Sequence, residues 1–159
     1  MPNGNGKAKR PFVLTQFSDP IVTVTLTTSG ALDPSVGSVV VPAGYFPTGT
    51  ALQRVEAIVM FRKITNSNAA LNRLAGATQY IQVQKAAGGF ANCIKFVDDQ
   101  FNVAASSDGP GDAIVGGIDV KATVNVDGAT YNFQWENALT EQDSIVLHDV
   151  RVGLRFYLW

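Results

Sequence analysis

A chain of 159 residues with one cysteine, a net charge of −1 and 46% hydrophobic residues is long enough for a single domain that buries close to two-thirds of its unfolded surface. The lone Cys93 excludes an internal disulfide and a multi-cysteine metal cluster, and reads as a small buried apolar residue. No run of about 18 apolar residues occurs and Met1 to Arg10 lacks the apolar centre of a signal peptide, so the sequence predicts a soluble protein made in a cytoplasm, with no membrane partner.

The net charge conceals a division. Residues 1–97 hold nine Lys and Arg against three acidic residues, and residues 98–159 hold three against ten, giving +6 and −7. If these regions reached different faces, identical subunits would attract at low salt. Two separately solvated surfaces are the plainer alternative.

Residues 1–18 read as an extended arm ahead of one domain, 19–159. Asn3, Gly4, Asn5 and Gly6 form turns and coil, Lys7, Lys9 and Arg10 carry charge, and Pro11 disfavours helix before it. Such an arm would lie on a neighbouring subunit or a larger surface, or fold back on its own domain. Ile21 to Ser29 then alternates in the period of a strand, with Val22, Val24 and Leu26 against Thr23, Thr25 and Thr27. After a loop through Gly37, Ser38 to Val41 is a short strand stopped by Pro42, and the Gly- and Pro-rich stretch that follows carries Tyr45 and Phe46, either a core plug or a contact patch.

Val55 to Ile64 is β-branched and aromatic enough to favour a strand with both faces apolar at its centre, hence covered on both. Thr65 to Gly76 admits one helical turn at Ala69 to Leu74. Thr78 to Lys85 alternates Ile81 and Val83 against Gln82 and Gln84, and short strands are expected at Cys93 to Val97 and Phe101 to Ala104.

Ile118 to Asn137 predicts a tight β-hairpin about Asp127-Gly128, because folding there sets Val126, Val124, Ala122 and Val120 opposite Ala129, Tyr131, Phe133 and Trp135. Ser144 to Trp159 is the longest strand, with Val146, His148, Val150, Val152, Leu154, Phe156 and Leu158 on one face and Asp149, Arg151, Arg155, Tyr157 and Trp159 on the other. Eight to ten strands with little helix indicate an all-β sandwich. The long irregular connections favour an eight-stranded jelly roll over an up-and-down barrel.

Chemistry is thin by comparison. With His148 as the sole histidine, no two-histidine metal centre can form within one chain, and no Gly-x-Ser-x-Gly elbow accompanies it. Asp98-Asp99 and the loop Asp108 to Asp112 lack the alternating oxygen spacing of an EF-hand. A carboxylate pair for glycoside cleavage could include Glu136 or Glu141, but the separation that decides that mechanism is not given by sequence. No phosphate-cradling glycine loop is present, and three basic residues in the arm are few for nucleic acid. The sequence therefore leads us to expect no enzyme, no cofactor, no metal and no nucleic-acid partner.

A polar arm, an all-β domain of this size and two ends that look anchored resemble the jelly-roll decoration, or cement, proteins of tailed bacteriophage capsids. The resemblance is architectural and rests on no motif. It implies a homotrimer on the virion's outer surface, bridging and stabilising major capsid proteins. Lys7, Lys9, Arg10 and Phe12 in the arm, with Tyr157 and Trp159 at the other end, are the expected contact residues, since Tyr, Trp and Arg are enriched at interface hot spots. The rival readings are a small jelly-roll coat protein that forms the shell itself, with its arm inward on nucleic acid, and a carbohydrate-binding module using Tyr131, Phe133 and Trp135.

Overall fold

The computed structural model describes residues 10–27, 35–61, 63–66, 79–86, 88–96, 112–136 and 144–159. The described elements are strands: β1 (Phe12–Phe17), β2 (Ile21–Thr27), β3 (Ser35–Val41), β4 (Leu52–Phe61), β5 (Lys63–Asn66), β6 (Gln79–Lys85), β7 (Ala91–Phe96), β8 (Asp112–Val115), β9 (Ala129–Trp135) and β10 (Ser144–Leu158). The expected helical turn at 69–74 and the strand at 101–104 fall outside the described residues.

The β10 strand organises one layer. Its C-terminal part pairs with β1 on one edge and β4 on the other, and its N-terminal part pairs with β2 and β5 along those same two edges. Each edge is thus one strand interrupted once, and with β8 beyond β4 the layer runs β1/β2, β10, β4/β5, β8. The second layer runs β3, β9, β6, β7, and every pairing in both layers is antiparallel. Counting each interrupted edge as one strand gives eight strands, paired first with eighth, second with seventh, third with sixth and fourth with fifth, as in a long hairpin rolled up on itself. Closing pairs between eighth and third and between seventh and fourth complete the two sheets. This is jelly-roll order, and it establishes the expected all-β sandwich.

The core lies between the layers. Val152, Leu154, Phe156 and Leu158 of β10 and Val55, Ala57, Val59 and Phe61 of β4 meet Tyr131, Phe133 and Trp135 of β9 and Ile81 and Val83 of β6. Tyr45 and Phe46 prove to be a plug, with ring centroids 5.8 and 5.1 Å from Phe156 in edge-on geometry. Cys93 is fully buried and its thiol donates to the Ile81 carbonyl at 3.1 Å.

The predicted hairpin is not formed. Residues 118–128 make a compact loop in which the N–H groups of Thr123 and Val124 both donate to the Val120 carbonyl, a single helical turn that buries Val120 and Val124 together. A spacing of four satisfies a strand's alternation and a helix's repeat alike, so the apolar pattern could not separate them. The acidic side chains of the loop decide the outcome. Asp119 Oδ1 accepts from Val55 N–H at 3.1 Å and Lys121 N–H at 3.0 Å, while Asp127 Oδ2 accepts from Phe46 N–H at 3.1 Å. The Tyr131 hydroxyl completes the loop by donating to the Val126 carbonyl at 2.7 Å. Freed of that partner, β9 pairs with β3 and β6.

A third of the expected arm is also strand, since Phe12–Phe17 pairs with β10 from Phe12↔Leu158 to Phe17↔Gly153. The junction between β1 and β2 is held by Ser18. Its N–H donates to the Val152 carbonyl at 2.8 Å, and its Oγ accepts from Val152 N–H at 3.1 Å in place of a backbone carbonyl. Gly37 of β3 presses on this junction at φ 132°, where a Cβ would lie 3.0 Å from Val152 Cγ2.

At the same level Asp149 adopts φ 50°, unusual for a residue with a side chain and tolerated best by Asn and Asp. The alternation shifts here. Ile21 and Val24, three residues apart, both pack on the core, and His148 pairs in register with exposed Thr23. His148 is therefore half-buried and off the apolar face to which simple alternation assigns it.

Replacing Ser18 with Ala leaves the buried Val152 N–H without its acceptor, and should lower unfolding free energy by about 1–3 kcal/mol in urea titrations. Burial pushes the Cys93 thiol far above its ordinary range. The unfolded chain can lose that proton from about pH 8.5 whereas the fold cannot, so this thiol's contribution to stability is complete below that pH and declines as pH rises. Native protein should accordingly resist a thiol reagent that labels Cys93 promptly in denaturant, and Cys93→Ala should flatten the alkaline decline in melting temperature.

Candidate contact surface

Pairing fixes which side chains of the first layer face away from the core. On β10 these are Arg151, Arg155 and Tyr157, on β1 Val13, Thr15 and Phe17, and on β4 Arg54, Glu56, Ile58 and Met60. Cross-strand register arranges them in rows: Val13, Tyr157, Arg54, then Thr15, Arg155, Glu56, then Phe17, Gly153, Ile58, and finally Arg151 with Met60. Trp159 continues the β10 alternation, its backbone held by reciprocal hydrogen bonds to Ala51 of 2.7 and 3.0 Å.

Two internal devices hold this face in shape. Glu56 is only 8% exposed although it points outward. Its carboxylate accepts from the Tyr157 hydroxyl at 2.6 Å and pairs with Arg54 at 2.6 Å, and Arg54 also donates to the Gly117 carbonyl at 3.1 Å. A buried carboxylate needs such partners. In the next row the Phe17 ring lies over Gly153, where a Cβ would come within 2.5 Å of it. Gly153 is thus the seat of an aromatic side chain.

What remains outward is a mixture of apolar and cationic groups. Val13, Phe17, Met60 and Trp159 are large hydrophobics exposed by 36–59%, and Arg151 is exposed beside them. Isolated exposed apolar residues are ordinary, but several on one sheet face, interleaved with Arg and Tyr, have the composition of a protein-contact patch. The opposite outer face differs. There Ser38 donates to Asn132 at 2.8 Å, Gln134 to Gln82 at 3.0 Å and Gln82 to Asn92 at 2.9 Å, an uncharged ladder that satisfies itself.

Of the expected contact residues, Lys7 and Lys9 lie outside the described residues. Arg10 is exposed at the start of β1, and Phe12 packs partly buried against the core. The Phe12↔Leu158 pairing brings the arm's end beside Tyr157 and Trp159, so two regions at opposite ends of the sequence form one corner of one face. Tyr157 faces outward but is engaged with Glu56. Val13, Phe17, Met60 and the three arginines were not singled out from sequence. The alternation of Val13, Thr15 and Phe17 against Phe12, Leu14 and Gln16 was the available signal, and it is faint because both sets are largely apolar.

The other candidates are dispersed. Tyr131, Phe133 and Trp135 are at most 1% exposed, so this aromatic row is core and not a sugar platform. Among the described residues no three His, Cys, Asp or Glu side chains gather, and no helix is long and apolar enough to cross a membrane. Asp98, Asp99, Asp108 and Glu141 lie outside the described residues.

No protein-family model and no curated protein matches this sequence. Among solved structures, the chain is similar to one titled "Cyanophage Pam1 capsid asymmetric unit", at 15% identity over 99% of each chain, with a TM-score of 0.35.

Tyr157→Phe removes one of the two side-chain partners of Glu56 while keeping the ring. It should cost about 1–2 kcal/mol of stability, measured as a lower urea midpoint with unchanged slope.

Proposed function

We propose that this protein is a structural component of a virion, binding the outer surface of a viral capsid and stabilising it by bridging major capsid proteins. The observation that carries the reading is the outward face of the β1, β10 and β4 layer, where Phe17, Met60 and Trp159 stand among Arg54, Arg151, Arg155 and Tyr157. A rigid sheet presenting aromatic and arginine side chains suits a broad protein surface better than a small molecule. The start of β1 lies beside the end of β10 at one corner, and Lys7, Lys9 and Arg10 with Tyr157 and Trp159 are the proposed contact residues, with Phe12 anchoring the strand from within. No catalytic role is assigned.

Stabilisation follows by mass action, because a ligand of the assembled shell that does not bind its separated parts shifts the balance toward the shell. Repetition over a lattice multiplies modest individual contacts. Jelly-roll order also fits a small coat protein that builds its own shell. Closed particles formed by the purified chain alone would favour that second reading.

In co-sedimentation with emptied capsids, Arg155→Ala with Trp159→Ala should weaken attachment by about tenfold or more. Ser38→Ala on the opposite sheet should leave it unchanged. Equal loss from both, or from neither, would remove the case for this face.

A further inference from the structure

The two layers have four edges, and three carry features that discourage pairing with another chain. Asp112 lies in β8 and Lys95 in β7, and β3 is interrupted by a register shift at Gly37. On the fourth edge, β1 has no charge, proline or bulge between Phe12 and Phe17. An edge left in this state is a template for a further strand.

The hydrogen bonding of β1 fixes what that strand must look like. Ser18 N–H donates to Val152, so in an antiparallel ladder Phe12, Leu14 and Gln16 also turn their backbone groups toward β10. Val13, Thr15 and Phe17 then turn theirs toward the open edge. Six backbone donors and acceptors thus line that edge, and no described strand pairs with them.

We propose that this edge pairs antiparallel with β1 of a second copy of the chain, about a two-fold axis at Thr15. A symmetric pairing can centre on an odd residue, in a hydrogen-bonded pair with its own copy, or on an even one, in a non-hydrogen-bonded pair. Thr15 is the one that engages all six groups: Thr15 opposite its own copy and Val13 opposite Phe17 of the other chain, in both directions. Opposed residues share a face. Exposed Val13 therefore meets exposed Phe17 on the outward side, and the threonine pair lies between two such apolar pairs. The flanks agree in charge, since exposed Arg10 falls one residue from exposed Asp19 of the second copy. The result is an isologous contact that extends the sheet across two protomers. It is independent of which larger surface the face binds.

The test is covalent capture and mass. A hydrogen-bonded antiparallel pair has Cα atoms about 5.5 Å apart, within disulfide range. Under mild oxidation Thr15→Cys should cross-link to a dimer much faster than the exposed control Arg151→Cys, while buried Cys93 stays silent. By light scattering, Thr15→Lys, which opposes like charges on the axis, should shift the protein from twice the chain mass to the single-chain mass. Cross-linking of Thr15→Cys no faster than the control would overturn the proposal, whether or not the lysine variant folds. So would a wild-type protein that stays monomeric at high micromolar concentration.

Discussion

Everything in this fold depends on β10 being paired along both edges, with β2 and β5 in its N-terminal part and with β1 and β4 in its C-terminal part. One strand of 15 residues joins four others, so the first layer is in effect built around a single ladder. Because both edges are taken from Gly153 to Leu158, its C-terminal side chains are committed: Val152, Leu154, Phe156 and Leu158 inward, Arg151, Arg155 and Tyr157 outward. The ladder changes partner at one level, where β1 gives way to β2 and Asp149 takes a positive φ. Ser18 sits at that level as a hydrogen-bonding splint, and Gly37 lets the other layer close over it.

The outer face inherits its character from this commitment. A carboxylate at Glu56 would be costly so far from water, and Tyr157 and Arg54 make it tolerable. Both partners come from the strands that flank or contain it, so the cluster fixes side chains that would otherwise sample many rotamers. A surface with few rotamers left to freeze loses less entropy on binding. The rigid, mixed apolar and cationic face is hence better suited to a large partner than its self-satisfied amide counterpart across the sandwich.

Much of the architecture was legible in the residues. The alternation from Val150 to Leu158 located β10, Ile81 and Val83 located β6, and the sequence-wide rhythm of short strands and long connections indicated a rolled sandwich. The failures have physical causes. Val120 and Val124 fit two repeats at once, and only the tertiary bonds of Asp119 and Asp127 choose between them. The strand at Phe12–Phe17 was hidden by the polar, glycine-containing residues before it, and its partner lies at the other end of the sequence. The contact face was hidden for the same reason, since Val13, Arg54 and Tyr157 become neighbours only through pairing.

The proposed function requires one particular face of the sandwich to meet a larger assembly. Hydroxyl-radical footprinting of the protein free and bound to capsids measures this directly, because Met, Trp, Tyr and Phe report their own exposure. The account requires Met60, Trp159 and Phe17 to lose labelling on binding while Phe90 keeps it. Unchanged labelling at Met60 and Trp159 in the bound state, with protection appearing on the amide-ladder side, would contradict it.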